Sequence, residues 1–402
     1  MATNPHSADS PKASFEDRLR PAPQREPRPR ARAAWRALAV LAILGLVGGG
    51  LVAGCGGAET GGSDAFVVVH SPEWSPDGKL LAFVRGSLGG TDAVYAIPPG
   101  GGEIRQLSAD VEGISEFAWS PRRRELLVRS SGSALPGFQR GEIVLVPLGS
   151  SPARTLSADP ADDRDPAWSP DGNWVAFASD LSGDYEIYVV DRRGERLRQL
   201  TRDPACDLAP AWSPDGRMLL YRRTSGCGPV SFSEAESIRL VGADGSDERE
   251  LVRVVRKDNL NAAGWRAEWS PDGRRVATDL GARITIVDVE REATRTLPGL
   301  GLDPRWSPDG RLVLYDGFEP CPECYISVRI AGLFVVNPDR RERLSLLAKS
   351  QAPFRWAVDA SWSPDGRLVA VVGEIDGERA ILLVKRDGSA FRWLTLDQAS
   401  TE

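Results

Sequence analysis

Histidine is almost absent: the 402-residue chain holds two, His6 and His70. Only His70 lies near the regular part of the sequence, so a serine–histidine–aspartate triad would have to be built on that one imidazole. A histidine-based zinc centre lacks ligands for the same reason. The Gly-x-Ser-x-Gly elbow that presents a hydrolase nucleophile is missing as well. Basic charge is lacking where a nucleic acid would need it. The formal net charge is −6, and residues 1–54 carry eight Lys or Arg against four acids, so residues 55–402 sum to −10. A body this acidic argues against nucleic acid as partner. With 41% hydrophobic and 26% charged residues, the chain can bury a substantial core.

Charge is missing altogether from Ala37 to Ala58. Residues 1–36 are rich in Pro, Arg and Ala without periodicity and read as a disordered, positively charged leader. Residues 37–54 form a hydrophobic signal or anchor segment, expected as one helix. Arginine before it and none immediately after it puts the leader in the cytoplasm and the body outside. Leu51-Val52-Ala53-Gly54-Cys55 resembles a bacterial lipobox. That resemblance implies cleavage before Cys55 and lipidation of its sulfur; an uncleaved signal anchor is the alternative. Residues 55–64, with their glycines, read as a flexible tether, and residues 65–397 as the folded body.

What the body has in abundance is one motif. Trp-Ser-Pro-Asp-Gly begins at Trp74, Trp168, Trp212, Trp269, Trp306 and Trp362, with a degenerate copy, Trp-Ser-Pro-Arg, at Trp119. A spacing of about 48 residues suits four strands and their loops. Proline with its fixed φ and glycine with positive φ make Ser-Pro-Asp-Gly a turn. An apolar strand follows, as in Lys79–Val84, Asn173–Ala178 and Arg367–Val372; a third follows as in Glu186–Val190, and a fourth ends in Leu-Thr, as at Leu200-Thr201. Four antiparallel strands radially repeated make a propeller blade. The recurring indoles are expected between blades, and Trp212→Ala is expected to cost about 3–5 kcal/mol.

Pro166-Ala167-Trp168-Ser169-Pro170-Asp171-Gly172 and its copies resemble the TolB-type, WD-like propeller repeat over about residues 66–396. The resemblance implies an all-β propeller with protein or peptide partners on its loop rim or channel mouth. The TolB propeller has six blades; this sequence counts seven, with a six-bladed ring carrying one irregular unit as the alternative. Residues 65–69 either extend the first inner strand or close the ring. Blade 2, lacking Asp-Gly, is expected to have a looser turn.

Three residue groups are candidates for chemistry. Beyond Cys55 there are Cys206, Cys227, Cys321 and Cys324. An even count outside the cytoplasm points to disulfides, with Cys206–Cys227 a plausible staple and Cys321–Cys324 closing on itself, ahead of redox or zinc readings. Three residues before the motif tryptophans stand Ser71, Glu116, Asp165, Ala209, Arg266, Asp303 and Asp359. The carboxylates Glu116, Asp165, Asp303 and Asp359 read first as caps of tight turns, and second as a channel site for a cation such as Ca2+ or a cationic peptide. Trp265, Arg266, Phe354, Arg355 and Trp356 are rim residues of the types that dominate binding surfaces. The sequence thus points to a monomeric, membrane-tethered, extracytoplasmic propeller that binds a protein or peptide without cofactor. The alternatives are a hydrolase or lyase of cell-envelope polymers, or a ligand sensor using the channel.

Overall fold

The tryptophan repeat closes into seven four-stranded antiparallel sheets, each built from one contiguous stretch of chain. The computed structural model describes residues 67–394 apart from 88–91, 110, 112, 132–139, 150, 158–159, 227–234, 256–265, 280–282, 321–327, 341, 349–356 and 376–377. The first strand of each sheet is innermost, because first strands of successive blades touch one another around the ring. These inner strands are Val67–Trp74, Ile114–Trp119, Asp163–Trp168, Cys206–Trp212, Ala267–Trp269, Leu300–Trp306 and Ala357–Trp362. The blade count is therefore seven, and the first inner strand begins at Val67 within the stretch expected to extend it.

Each inner strand ends at its tryptophan because the next four residues reverse the chain. In blade 4 the Ser213 hydroxyl donates to Asp215 Oδ1 at 2.6 Å and accepts the Met218 N–H at 3.0 Å, while the Gly216 N–H donates to the Ser213 carbonyl at 2.8 Å. Gly216 takes φ +70°, a conformation that an L side chain resists. A Cβ placed on it would meet Pro170 of the preceding blade's turn at 3.7 Å. The turns thus form a collar around one mouth of the channel. In blade 2 the chain at Ser120-Pro121-Arg122-Arg123 bends without that hydrogen-bonded turn, and the Ser120 hydroxyl accepts the Arg123 N–H at 3.2 Å.

The core is a set of seven clusters, one per blade interface. Trp306 and Val313 of blade 6 pack on Ala277 and Ile286 of blade 5, and Trp74 and Phe83 of blade 1 pack on Val372 and Leu383 of blade 7. Each tryptophan faces the preceding blade, and the indole N–H of Trp119, Trp269 and Trp362 donates to a carbonyl there. Blade 7 meets blade 1 through this packing, with no strand shared between the two sheets. Burial is uneven: Trp306 keeps 4% of its surface, whereas Trp119 and Trp212 are only partly buried, so not every motif indole is interior to the same degree.

Candidate functional site at the channel wall

Most inner strands break register three residues before the tryptophan. Ser71, Asp165, Ala209, Asp303 and Asp359 all sit at φ between 52° and 57°, and the ladder slips there. Aspartate tolerates this left-handed conformation better than most residues, which accounts for its recurrence at the position. The slip turns the backbone N–H of that residue out of its own sheet, toward the preceding blade. Asp165 N–H donates to Glu116 at 3.1 Å, Ala209 N–H to Asp165 at 2.9 Å, and Ser71 N–H to Asp359 at 3.3 Å. Asp303 N–H donates to Asp279 at 2.9 Å, a residue just past the second strand that substitutes where blade 5 carries Arg266 in the column. Glu116, Asp165 and Asp359 thus accept backbone N–H groups of the following blade, whereas Asp303 pairs with Arg266 of the preceding one.

The sector running from blade 5 round to blade 1 is richer in charge. Arg266 Nε lies 2.9 Å from Asp303 Oδ1 and also feels Glu73, Asp359 and Glu268. Its side chain is enclosed by the wall yet 48% open to the channel's water. Arg305 reaches across blade 7 to Glu73, Nη1 to Oε1 at 3.4 Å. Glu268 accepts the Trp306 backbone N–H at 2.8 Å. Asp316, on the second strand of blade 6, keeps 7% of its surface, and its Oδ1 has no hydrogen-bond partner.

Five carboxylates (Glu73, Glu268, Asp303, Asp316, Asp359) thus share two guanidinium groups. Burial, foremost, raises Glu268 to about 7 against the pull of Arg305, and raises Asp359 to about 6 with added repulsion from Asp303. Asp316 is pushed well above the usual carboxylate range by burial and then by Asp303 and Asp359. Burial likewise raises Asp279 to about 7, and raises Glu116 to about 7 with Asp165 beside it.

His70 lies inside blade 1, 4% exposed, with its pKa lowered to about 4 by burial and then by Arg379. Its Nδ1 meets the Ser71 hydroxyl at 3.1 Å, but Asp359 holds the Ser71 backbone N–H instead of the imidazole. Hydroxyl, imidazole and carboxylate do not stand in the series a triad requires.

Of the rim residues, Arg266 belongs to the channel wall; Trp265, Phe354, Arg355 and Trp356 lie outside the described residues. Cys206 is fully buried and disulfide-bonded, while Cys55, Cys227, Cys321 and Cys324 lie outside the described residues. Among the described residues no group of three or more His, Cys, Asp or Glu is placed to hold a metal ion. Sequence reasoning missed Glu73, Glu268, Arg305 and Asp316. The signal was there for the first three: the residue before the motif tryptophan reads Glu, Ala, Ala, Ala, Glu, Arg and Ser around the ring, with charge in a column otherwise of small residues. A groove of about 790 Å³ lies between blades 6 and 7 on the face that carries the Ser-Pro-Asp-Gly turns, lined by Leu312, Val335, Leu344 and Leu368 among others.

The TolB β-propeller domain model matches residues 137–337. The chain belongs to that family. Among curated proteins it is 30% identical to the uncharacterized peptidase YuxL of Bacillus subtilis, over 30% of this chain and 24% of that protein. The chain thus spans about a quarter of the length of that relative. Among solved structures, it is similar to an oligogalacturonate lyase from Vibrio parahaemolyticus (TM-score 0.61, 16% identity, covering 79% of this chain and 91% of that one). It is also similar to a puromycin-hydrolyzing peptidase of Mycobacterium tuberculosis (TM-score 0.61, 15% identity, 83% and 53%). At such identities the two structures share the propeller fold with this chain.

Proposed function

We propose that the chain is a membrane-tethered, extracytoplasmic propeller that binds a protein or peptide partner over its channel, without catalysing a reaction. The observation that carries this reading is the half-open Arg266 set in an acidic wall: a fixed pattern of both signs, suited to orienting a polar chain. The lipobox-like segment ending at Cys55 supports the tether, and the disulfide at Cys206 suits an oxidising compartment. Five carboxylates against two arginines repel a polyanion such as oligogalacturonate, which weighs against carrying the lyase's activity over to this chain.

The test uses the full-length chain in membranes, with a photocrosslinking residue replacing Arg266, against a copy carrying it at exposed Asp244 on a distant loop. A discrete polypeptide adduct formed from position 266 alone, and weakened in an Asp303→Asn background, is expected. Equal adducts from both positions, or turnover of a cell-envelope polymer that Glu268→Gln abolishes, would reverse the assignment.

A further inference from the structure

We propose that Arg122, Arg123, Arg124, Arg193 and Arg196, on the face of blades 2 and 3 that carries the turns, form a binding site for a linear phosphate polyanion. This goes beyond the partner-binding reading and shares no residue with it.

One turn departs from the repeat. Six turns close with a Ser–Asp side-chain bond of 2.6–2.7 Å and a glycine at φ between 67° and 70°. Blade 2 has neither, and puts Arg122-Arg123-Arg124, all exposed, where the others carry Asp, Gly and the residue after it. Proteins break a stabilising local rule of this kind chiefly where function asks for it.

Blade 3 brings more positive charge to the same place. The Arg122 Nε–H donates to the Pro170 carbonyl in the blade 3 turn at 3.3 Å, and a Cβ on Gly172 would meet the Arg122 Cβ at 3.4 Å. The Asn173 carbonyl, next along, accepts the Arg192 N–H at 2.8 Å, which fixes the hairpin carrying exposed Arg193 and Arg196 beside that turn. On the outer side Arg154 of blade 2 donates to the Arg192 carbonyl. Residues 120–125, 147–156, 169–174 and 191–198, which make up this sector, hold eight arginines against four carboxylates.

Three of those carboxylates are already engaged. Glu125 accepts from Arg192 Nε at 2.8 Å, Asp171 closes its own turn, and Asp191 accepts the Glu195 and Arg196 N–H groups. The excess guanidinium groups are not neutralised by them. Arg122 and Arg154 rest on uncharged carbonyls, and among the described residues none of Arg123, Arg124, Arg193 and Arg196 forms an ion pair.

The bounds of the sector select the guest. Blade 4 presents exposed Asp215, Asp244 and Asp247 on one side, and blade 1 presents Asp77 on the other. A bilayer, or a rigid duplex laid across the face, would meet those carboxylates, whereas a single flexible chain follows the arginines alone. A polypeptide is held by apolar anchors and backbone hydrogen bonds as well as by charge. Of the large apolar side chains exposed among the described residues, only Leu197 lies here. Each guanidinium presents a planar fork that matches two phosphate oxygens. A chain with one phosphate per repeat supplies those oxygens and asks for little else.

The probe is fluorescein-labelled inorganic polyphosphate, its binding to the full chain followed by fluorescence anisotropy from about 50 to 200 mM salt. Polyglutamate of matching charge number and phosphatidylglycerol vesicles are the comparison probes. Polyphosphate is expected to bind with a log–log salt slope of about −3, that of about four phosphate contacts, and both comparison probes far more weakly. Arg122→Asp with Arg123→Gly should weaken binding about tenfold or more while raising the melting temperature, so that loss of binding is separated from loss of fold. Arg193→Gln with Arg196→Gln leaves that turn untouched and should weaken binding severalfold; it decides the matter if the first variant melts below the parent. Arg274→Gln with Arg311→Gln, on the turns of blades 5 and 6, should leave binding unchanged. No binding, binding unchanged in the first two variants, an equal loss in the third, or equal binding of polyglutamate or vesicles would overturn the site. The adduct at position 266 is measured separately, so the partner-binding reading stands or falls on its own.

Discussion

At the scale of single residues, the seven tryptophans are one letter in the sequence and two environments in the fold. Trp306, with 4% of its surface exposed, is enclosed by Ala277, Ile286 and Val313, and Arg275 lies over its ring at 4.7 Å. Trp212 only borders its cluster. Replacement by alanine should therefore cost about 3–5 kcal/mol at Trp306 and about 2–3 kcal/mol at Trp212. Urea unfolding of the two variants side by side checks the ranking; equal midpoints would show that the exposure difference has no energetic weight. The tryptophans were legible because a large apolar residue in a fixed repeat has few places to go. The role of Asp165 and Asp359 was half legible. Their column and turn preference stood in the sequence, but the N–H they capture belongs to the next blade, and that pairing exists only after the ring has formed. Asp316 was illegible as a member of the charged sector, since nothing in Val313–Pro320 distinguishes it from an ordinary strand position.

At the scale of the element, turn chemistry explains why the strand pattern could be read so far in advance. Ser-Pro-Asp-Gly is stabilised by its own atoms, so it folds alike in each blade that carries it. In blades 4, 6 and 7 the Ser–Asp side-chain bond is 2.6 Å and the serine hydroxyl accepts an N–H at 2.9–3.0 Å. Outer strands were readable for a related reason. The hydroxyl closing the outer strand, Ser108, Ser157 or Thr201, accepts the N–H of Val94, Ile143 or Ile187 at 2.9–3.0 Å and so continues the ladder past its end. Blade 2 is the exception that can be repaired. Arg122→Asp with Arg123→Gly restores the aspartate acceptor and the positive-φ glycine, at the cost of one exposed bond from Arg122 to the Pro170 carbonyl. The double variant should gain about 0.5–1 kcal/mol. A melting temperature at or below that of the parent would mean that blade 2 is held by something other than its turn.

At the scale of the whole molecule, the channel couples stability to pH, and the direction follows from the groups that face it. Glu116, Glu268 and Asp279 titrate near 7 and Asp359 near 6 in the folded chain, all raised by burial, and burial also pushes Asp316 well above the usual carboxylate range. A carboxylate whose pKa is raised by folding binds more protons folded than unfolded, so its contribution is largest at low pH and declines as pH rises from about 4 toward 7. His70 works in the opposite sense. Its folded pKa of about 4 lies below the ordinary 6.5, so its contribution is full above 6.5 and is lost as pH falls toward 4. Between pH 8 and 6.5 only the carboxylates change, and below 6.5 several of them oppose one imidazole. Below about 4 the turn carboxylates, such as Asp309 at about 2, begin to lose their bonds. Stability should therefore climb as pH is lowered from 8, peak near 5, and fall again below 4. The five carboxylates contribute about 1 kcal/mol each to the climb, and with His70 opposing them the net rise is about 3 kcal/mol. Glu268→Gln keeps an acceptor for the Trp306 N–H while removing the charge. It should raise stability at pH 8 by about 1 kcal/mol and leave it nearly unchanged at pH 5. Guanidinium unfolding of parent and variant at both values decides the matter: a variant no more stable than its parent at pH 8 would mean that the wall carries its charge without strain, and that the acidic sector is solvated instead of poised for a cation.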